Sequence, residues 1–429
     1  MAIWRYRPTI IGITGSAGKS SAKEAIYQTL KGKYKVRRST GNYNNEVGAP
    51  LTILGLKGGG SSFWAWLIVF LKAVFVVIWS GNYPEILILE MGVDKPGDME
   101  YLLDFIPVQV GVFTAIGEFP SHIEFFPERE KLIGEKALLI KSLPLEGLAV
   151  LNYDDLSVRD VGRGLPPKIK KIFYGFGQGA DLKIVNYELV VRDLDRKDFG
   201  LSFKLDYQGS LVPFHLNRVL AKQQVFAAAA AAAVGVFFGM NLVEISQALA
   251  DYHPLPGRTS LIKGINHSWL IDDSYNASPL ATIAALEVLE EFSVILSPAS
   301  ARGGRRGEES RRQPVSSCRK IAVLGDMLEL GKYTEPGHQA VGKKAATVAD
   351  LLFTVGEKSQ ITASAAEEKG MEHNSVFRFN NSEETGQALK KIIKEGDIVL
   401  IKGSRLMKME KITKEIMAEP SKAKDLLVY

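Results

Sequence analysis

The sequence predicts an α/β protein of two successive units, each built on a mostly parallel sheet, with a small antiparallel β portion in the first. Three observations carry this reading. Apolar strand-like runs alternate with helical patterns, as parallel strands joined by crossover helices require. A glycine-rich turn ending in Lys-Ser, Thr14–Ser21, separates the first strand-like run from the first helical one. From Leu182 to Phe214 the pattern becomes alternating and β-rich, as in Leu201-Ser-Phe-Lys-Leu-Asp-Tyr207, which suits an antiparallel meander.

The elements follow in order. Ile10-Ile11-Gly12-Ile13 reads as the first strand and Ala22–Leu30 as the helix after it. Between them, Thr14-Gly15-Ser16-Ala17-Gly18-Lys19-Ser20-Ser21 makes a phosphate cradle. Its glycines let backbone N–H groups crowd an anion, and the helix N-terminus adds positive potential. Lys19 is expected to reach the outer phosphates of ATP and the Ser20 hydroxyl to ligate Mg²⁺. A standard P-loop needs glycine where Ile13 stands; here the glycines fall at 12, 15 and 18. The shorter pattern T-G-[ST]-x-G-K-[ST] belongs to a narrower set of ATP users, so the first unit reads as a P-loop-type ATP-binding domain. Ile86–Leu89 and Val108–Phe113 read as buried strands, Arg129–Ser142 as a helix, and Ala227–Ala233 as a close-packed helix by propensity. The turn-rich Tyr252–Arg258 marks a boundary, giving domains 1–257 and 258–429. Beyond it, Trp269–Ile271, Ile321–Leu324, Leu351–Val355 and Ile398–Ile401 are strands of a second, Rossmann-like α/β unit.

Composition narrows the classes. At 429 residues, with 46% hydrophobic and 24% charged residues, the chain has the balance of a folded protein of two or three domains. A net charge of +5 suits small anionic substrates and does not demand nucleic acid, and no nucleic-acid partner is expected. Cys318 is the only cysteine, so no internal disulfide forms and a reducing, cytoplasmic setting is expected. Met1–Pro8 lacks the apolar core of a signal peptide.

Two segments stand apart. The insert 297–319 is rich in Ser, Arg, Gly and Pro without aromatic residues, and reads as a disordered surface loop rather than a nucleic-acid patch. The insert 60–82 carries Phe63–Trp79, a helix of about 26 Å, short of the ~30 Å hydrocarbon core. It holds one charge, Lys72, and tryptophans near both ends. A crossing there would put strands of one ATP site on opposite sides of a membrane. Two readings remain: a helix buried against protein, or a monotopic helix in the membrane interface that makes the chain peripheral on the inner face of the plasma membrane.

Several residues are candidates for chemistry. Glu90 follows a parallel strand, on the sheet edge where ligands bind, and is either a Mg²⁺ ligand or a solvated strand-end carboxylate. His122, after the strand ending at Phe113, is either a second ligand or a structural histidine. Lys136, in a helical stretch, reads by itself as a surface lysine. Asn42, Asn44 and Asn45 form a polar cluster that alone is a turn. Asp272-Asp273-Ser-Tyr275-Asn276-Ala-Ser-Pro279 follows a strand and alone reads as a helix cap. Gly325–Gly331 and Lys402-Gly403-Ser404-Arg405 follow strands in the same way.

Together these segments resemble the Mur ligases, and within them the branch that adds D-alanyl-D-alanine to UDP-N-acetylmuramoyl-tripeptide. The phrases Gly-Asn-Tyr-Asn-Asn-Glu-Val-Gly, Val-Leu-Gly-Asp-Met-Leu-Glu-Leu-Gly and Lys-Gly-Ser-Arg-Leu-Met-Lys-Met-Glu carry the likeness, which spans nearly the whole chain. The resemblance implies an ADP-forming ligase of peptidoglycan precursor synthesis that phosphorylates a carboxylate and passes the acyl group to an amine. It implies that Ser20 and Glu90 hold one Mg²⁺, and that His122 and a carbamylated Lys136 help hold a second. Arg258 and Asp273 would contact the nucleotide, and Tyr275, Asn276, Ser404, Arg405 and the Asn42–Asn45 cluster would face the substrates, UDP-MurNAc-peptide and D-Ala-D-Ala.

Three departures accompany the likeness. The first strand follows Met1–Pro8 directly, so the family's N-terminal UDP-gripping domain is not represented, and a separate UDP-binding partner or another grip on the substrate is expected. The adenine-side motif His-Asn-x-x-Asn is replaced by Gln223-Gln224-Val-Phe-Ala227; Gln224 can supply one amide, Ala227 none. The insert 60–82 is longer and more apolar than the family's connector. Two other readings are a related ligase acting on a different carboxylate, and a membrane-docked ATP-binding scaffold without turnover.

Overall fold

A computed structural model describes residues 1–39, 43–79, 81–296 and 318–428. Asn42 and residues 297–317 of the Arg/Ser-rich insert lie outside them. Two sheets organise the chain. The first has nine strands: β1 (Thr9–Thr14), β2 (Val36–Arg38), β3 (Ile86–Glu90), β4 (Val110–Phe113), β5 (Leu148–Asn152), β6 (Lys170–Gly175), β7 (Leu182–Asp193), β8 (Asp198–Tyr207) and β9 (Ser210–Asn217). They lie in the order β2-β3-β1-β4-β5-β6-β7-β8-β9. Strands β1 to β6 run parallel, and β7, β8 and β9 form the antiparallel meander.

The second sheet has six strands: β10 (Ser260–Lys263), β11 (Trp269–Asp273), β12 (Lys320–Gly325), β13 (Leu351–Val355), β14 (Val376–Phe379) and β15 (Ile398–Lys402). Their order is β10-β11-β15-β12-β13-β14, with only β10 antiparallel to its neighbour. The expected α/β class, with mostly parallel sheets and one antiparallel portion, is the observed one.

Successive residues of a strand face opposite sides, so each parallel strand feeds two cores. Ile11, Ile13, Val110 and Val112 face one core, which holds the alanine-rich helix Gln223–Phe237. Ile10, Leu87, Leu89 and Phe113 face the other, with Leu132, Leu139 and Ile140 of the helix Arg129–Lys141. Ala228–Ala233 are fully buried, and their small side chains let this helix pack against Lys19–Leu30, the helix after the cradle. Strand β2 is short and half-buried at the sheet edge, which is why it carries no apolar run in the sequence.

The segment Phe63–Trp79 is a helix with no buried residue. Phe63 is 75% exposed and Trp64 70% exposed. The expectation of a helix buried against this chain is therefore corrected: one stripe only, Ala65, Val69, Ala73, Val76 and Val77, is partly covered. No helix among the described residues is long and apolar enough to cross a membrane.

Candidate active site

Strand β1 lies between β3 and β4, so its C-terminal end opens at a point where crossovers leave in both directions. Such points form ligand crevices in parallel sheets. Here β1 runs into the cradle. Gly15 has φ +144° and Gly18, the N-cap of Lys19–Leu30, has φ +83°. The loop is pinned to the β4 end: Ser16 N donates to Ala115 O at 2.7 Å, and Thr114 Oγ1 donates to Ala17 O at 2.6 Å. Lys19 Nζ lies over the loop and donates to Gly15 O at 2.7 Å. Burial lowers the Lys19 ammonium pKa, against the pull of Glu90.

Glu90 ends β3, in register with Ile13 of β1. Its carboxylate accepts from Ser20 Oγ at 3.0 and 3.2 Å and pairs with Lys23 Nζ at 3.4 Å. Burial pushes this carboxyl up, but Lys23, Lys19 and Arg258, with the Ser20 hydroxyl, hold it below the usual carboxylate value. Glu90 is thus an ionised, buried carboxylate beside the Lys-Ser of the cradle, not a solvated strand end. Lys23 went unnoticed in the sequence because helix position alone does not say which face packs inward.

The second unit closes over this site. Arg258 Nη2 donates to Ser20 Oγ at 2.9 Å, and its guanidinium lies 4.3 Å from the Tyr275 ring centre. Asp273 ends β11 opposite Lys402 of β15 and accepts from Lys402 Nζ at 2.6 Å and Thr259 N at 3.1 Å. The helix-cap reading of Asp272–Pro279 holds at its end, where the helix starts at Pro279 and Ala281 N donates to the Ser278 hydroxyl at 3.4 Å, while Asp273 itself turns to Lys402 and Thr259. Lys402 also donates to Asn276 O at 2.9 Å. His122 has φ +66°, and its Nδ1 lies 2.8 Å from Glu329 of the second unit and 3.5 Å from Asp94.

Between the units runs a cleft of about 1320 Å³. Ser16, Ala17, Gly18, Lys19, Ser20, Ser21, Asn44, Asn45, Glu90 and His122 line it from the first unit, with Gln224 at the start of the alanine helix. Arg258, Asp273, Tyr275, Asn276 and Lys402 line it across the border. Asn45 Oδ1 also accepts from Gly48 N, the first residue of the helix Gly48–Leu54, at 3.0 Å. Gln224 is 4% exposed, and its amide oxygen accepts from Tyr252 OH at 2.7 Å. Ser404 and Arg405 do not line the cleft: Ser404 Oγ accepts from Leu328 N at 2.9 Å, and Arg405 pairs with Glu410 at 3.1 Å.

Lys136 corrects the surface reading. It is 0% exposed, and its Nζ has no hydrogen-bond partner. Burial, with Lys19 nearby, pushes its pKa well below the ordinary lysine value, against Asp94, Glu135 and Asp98. Burial thus disfavours the ammonium form of this lysine, the direction that makes an amine more nucleophilic. The metal question turns on donor chemistry. Among the described residues no group of three or more His, Cys, Asp or Glu is arranged so that it could hold a metal ion by itself. Mg²⁺ at phosphoryl-transfer sites uses one or two carboxylates together with substrate phosphates and waters. The Ser20 hydroxyl and Glu90 carboxylate, 3.0 Å apart at the cradle, fit that pattern.

Comparison with known proteins agrees with this geometry. The Mur ligase middle domain matches residues 76–235, and the Mur ligase, glutamate ligase domain matches residues 308–405. The UDP-N-acetylmuramoyl-tripeptide–D-alanyl-D-alanine ligase of Bacillus subtilis is 28% identical over 412 residues, covering 96% of this chain and 76% of that protein. The enzyme of the same name from Escherichia coli is 24% identical over 421 residues, covering 95% of this chain and 76% of that protein. The fold of a MurF ligase from Thermotoga maritima in complex with ADP superposes with a TM-score of 0.73 at 23% identity, covering 99% of this chain and 82% of that one. A cradle, a cleft between two sheets and family matches in both halves of the chain converge: this chain belongs to the Mur ligase family.

Proposed function

We propose that this chain is an ATP-dependent, ADP-forming amide ligase of peptidoglycan precursor synthesis that joins D-Ala-D-Ala to a UDP-MurNAc-peptide. The observation that carries the reading is the meeting of Ser20, Glu90 and Arg258 at the cradle, where the second unit reaches the phosphate site. The names of the relatives support the same substrates.

The residues divide the work. The backbone of Gly15–Gly18 and Lys19 bind the β- and γ-phosphates. The substrate carboxylate attacks the γ-phosphorus, ADP leaves, and an acyl phosphate forms. The amine then attacks the acyl carbon, the amide forms and phosphate leaves. Arg258 brings a cation to the transferring phosphoryl group, whose negative charge catalysis must offset. Asp273, held by Lys402, fixes the border beside Tyr275 and Asn276, where the incoming amine is expected. Closure of the two units excludes water, which would otherwise consume the acyl phosphate.

Ser20 and Glu90 would hold one Mg²⁺, and His122 with a carbamylated Lys136 a second. The bound ions supply charge neutralisation between two anionic reactants. Gln224, with Tyr252, positions the adenine side.

The test is direct. The chain is incubated with ATP, Mg²⁺, UDP-MurNAc-tripeptide and D-Ala-D-Ala, and phosphate release and product mass are followed. One phosphate per amide product is expected. ATP binding without any amide product would overturn the reading in favour of a scaffold.

A further inference from the structure

The helix Phe63–Trp79 takes no part in the ATP site. It has twelve exposed positions, eleven of them apolar, with Lys72 the exception. It is not loose. Tyr6 OH donates to Val76 O at 2.7 Å and Arg5 Nη2 donates to Ile78 O at 2.9 Å, so carbonyls of its last turn are satisfied by the N-terminal helix Ala2–Tyr6. An apolar groove of about 430 Å³ runs between these two helices and continues to Leu54 and Phe105. Met1 and Trp4, on the same face, are 91% and 71% exposed.

We propose that this face is a monotopic docking surface for an anionic lipid bilayer. Four features select lipid over a protein partner. The apolar surface covers most of the helix circumference, whereas a protein seam uses a narrow stripe. Trp64, Trp66 and Trp79 of the helix and Trp4 nearby are all exposed, together with Phe63, Phe70 and Phe75, and Trp and Phe are the residues that a helix lying in the interface buries at the headgroup boundary. The covered stripe ties the helix to the globule along its length, so it lies in the membrane plane rather than across it.

The charge balance is the fourth feature. Residues 1–23 and 47–84 contain no Asp or Glu, while exposed Arg5, Arg7, Lys57 and Lys72 flank the apolar surface. No Asp or Glu lines the groove, and in the sequence Asp104 is the acidic residue adjacent to a lining residue, Phe105. Cations beside inserted apolar groups add attraction to anionic headgroups. The groove and the ATP cleft share no lining residue, so a docked enzyme keeps its cleft open to soluble substrates.

Flotation of the full chain through a sucrose gradient tests this, because bound protein rises with vesicles while aggregates sink. Vesicles of phosphatidylcholine alone are compared with vesicles containing phosphatidylglycerol. The expected result is flotation with the anionic vesicles, weakened by salt, and tryptophan emission quenched by brominated lipid. The variant Trp64→Ser/Phe70→Ser/Phe75→Ser should partition at least tenfold less while binding ATP as the parent does. If that variant fails to bind ATP, Lys57→Glu/Lys72→Glu serves instead and should lose the preference for anionic vesicles. Failure of the parent chain to float overturns the proposal, and a concentration-dependent dimer abolished by the triple variant would assign the face to a second copy. Equal flotation of parent and variants also overturns it.

Discussion

Gly15→Ala probes the cradle at its tightest point. A Cβ at position 15 would lie 2.1 Å from Thr114 Oγ1 and 3.1 Å from Ala115 O. Thr114 cannot turn away freely, because its hydroxyl donates to Ala17 O at 2.6 Å with Thr14 O at 3.1 Å. The backbone at φ +144° is also one that side chains rarely adopt. Such strain costs about 1–3 kcal/mol, and losing the Thr114 bond costs about 1 kcal/mol more. If the loop relaxes instead, ATP binding bears the loss: about 3 kcal/mol is a factor of roughly 10² in Kd. Gly18→Ala is the control. Its Cβ would meet Thr114 Cβ at an ordinary 3.6 Å, leaving only the left-handed penalty at φ +83°, about 1–2 kcal/mol. The assay is calorimetric titration with ATP beside thermal unfolding. Adding Thr114→Ala to Gly15→Ala should recover part of the affinity, since it removes the clashing oxygen. Parent-like affinity and melting in Gly15→Ala would refute the loop geometry.

Other predictions follow from the buried charges. Glu90→Gln should abolish turnover and flatten the acid limb of stability. A carboxylate with a lowered folded-state pKa stabilises above its unfolded value and loses that contribution as pH falls through the folded value, so only the parent should show the steep loss in acid. Lys136→Met should be inactive yet melt higher at neutral pH in buffer freed of carbon dioxide. A lysine with a lowered folded-state pKa destabilises below its ordinary value, so the difference should shrink as pH rises toward 10.5; a lower melting temperature would contradict the buried, unpartnered amine. Lys136→Ala should regain part of its turnover in concentrated short carboxylates, and no recovery would count against a carbamate. Arg258→Ala should lower kcat more than it weakens ATP binding, because its contact with Ser20 comes from the second unit. An effect confined to binding would place Arg258 outside the reacting group.

The phosphate site was legible because its chemistry is local. The turn Thr14–Ser21 needs glycines at set backbone positions and a Lys-Ser at a helix start, and each is a sequence feature. Glu90 was legible because an apolar strand that ends in a carboxylate has a known edge. What the sequence left open depends on packing. Lys136 sits on a helix whose weak amphipathicity hides its inward face, so only the assembled core shows it buried. Lys23 and Tyr252 reach Glu90 and Gln224 through tertiary contact, and no motif marks them. The helix Phe63–Trp79 was legible as a helix, yet whether it lay inside or outside depended on surfaces contributed by Ala2–Tyr6 and Leu54. The segment Asp272–Pro279 was legible as a helix cap, which Ser278 supplies, but only the register of β11 with β15 sets Asp273 opposite Lys402. Ser404 carries the phrase of the branch, but its hydroxyl is held by Leu328 N, away from the cleft.

The central claim is that the cradle serves acyl-phosphate formation. It is tested most directly by following oxygen from the substrate. The carboxylate of the UDP-MurNAc-peptide is labelled with ¹⁸O, the reaction is run with ATP, Mg²⁺ and D-Ala-D-Ala, and the released phosphate is analysed by mass. The account predicts one ¹⁸O in each phosphate and one left in the new amide. Unlabelled phosphate alongside amide product would contradict it.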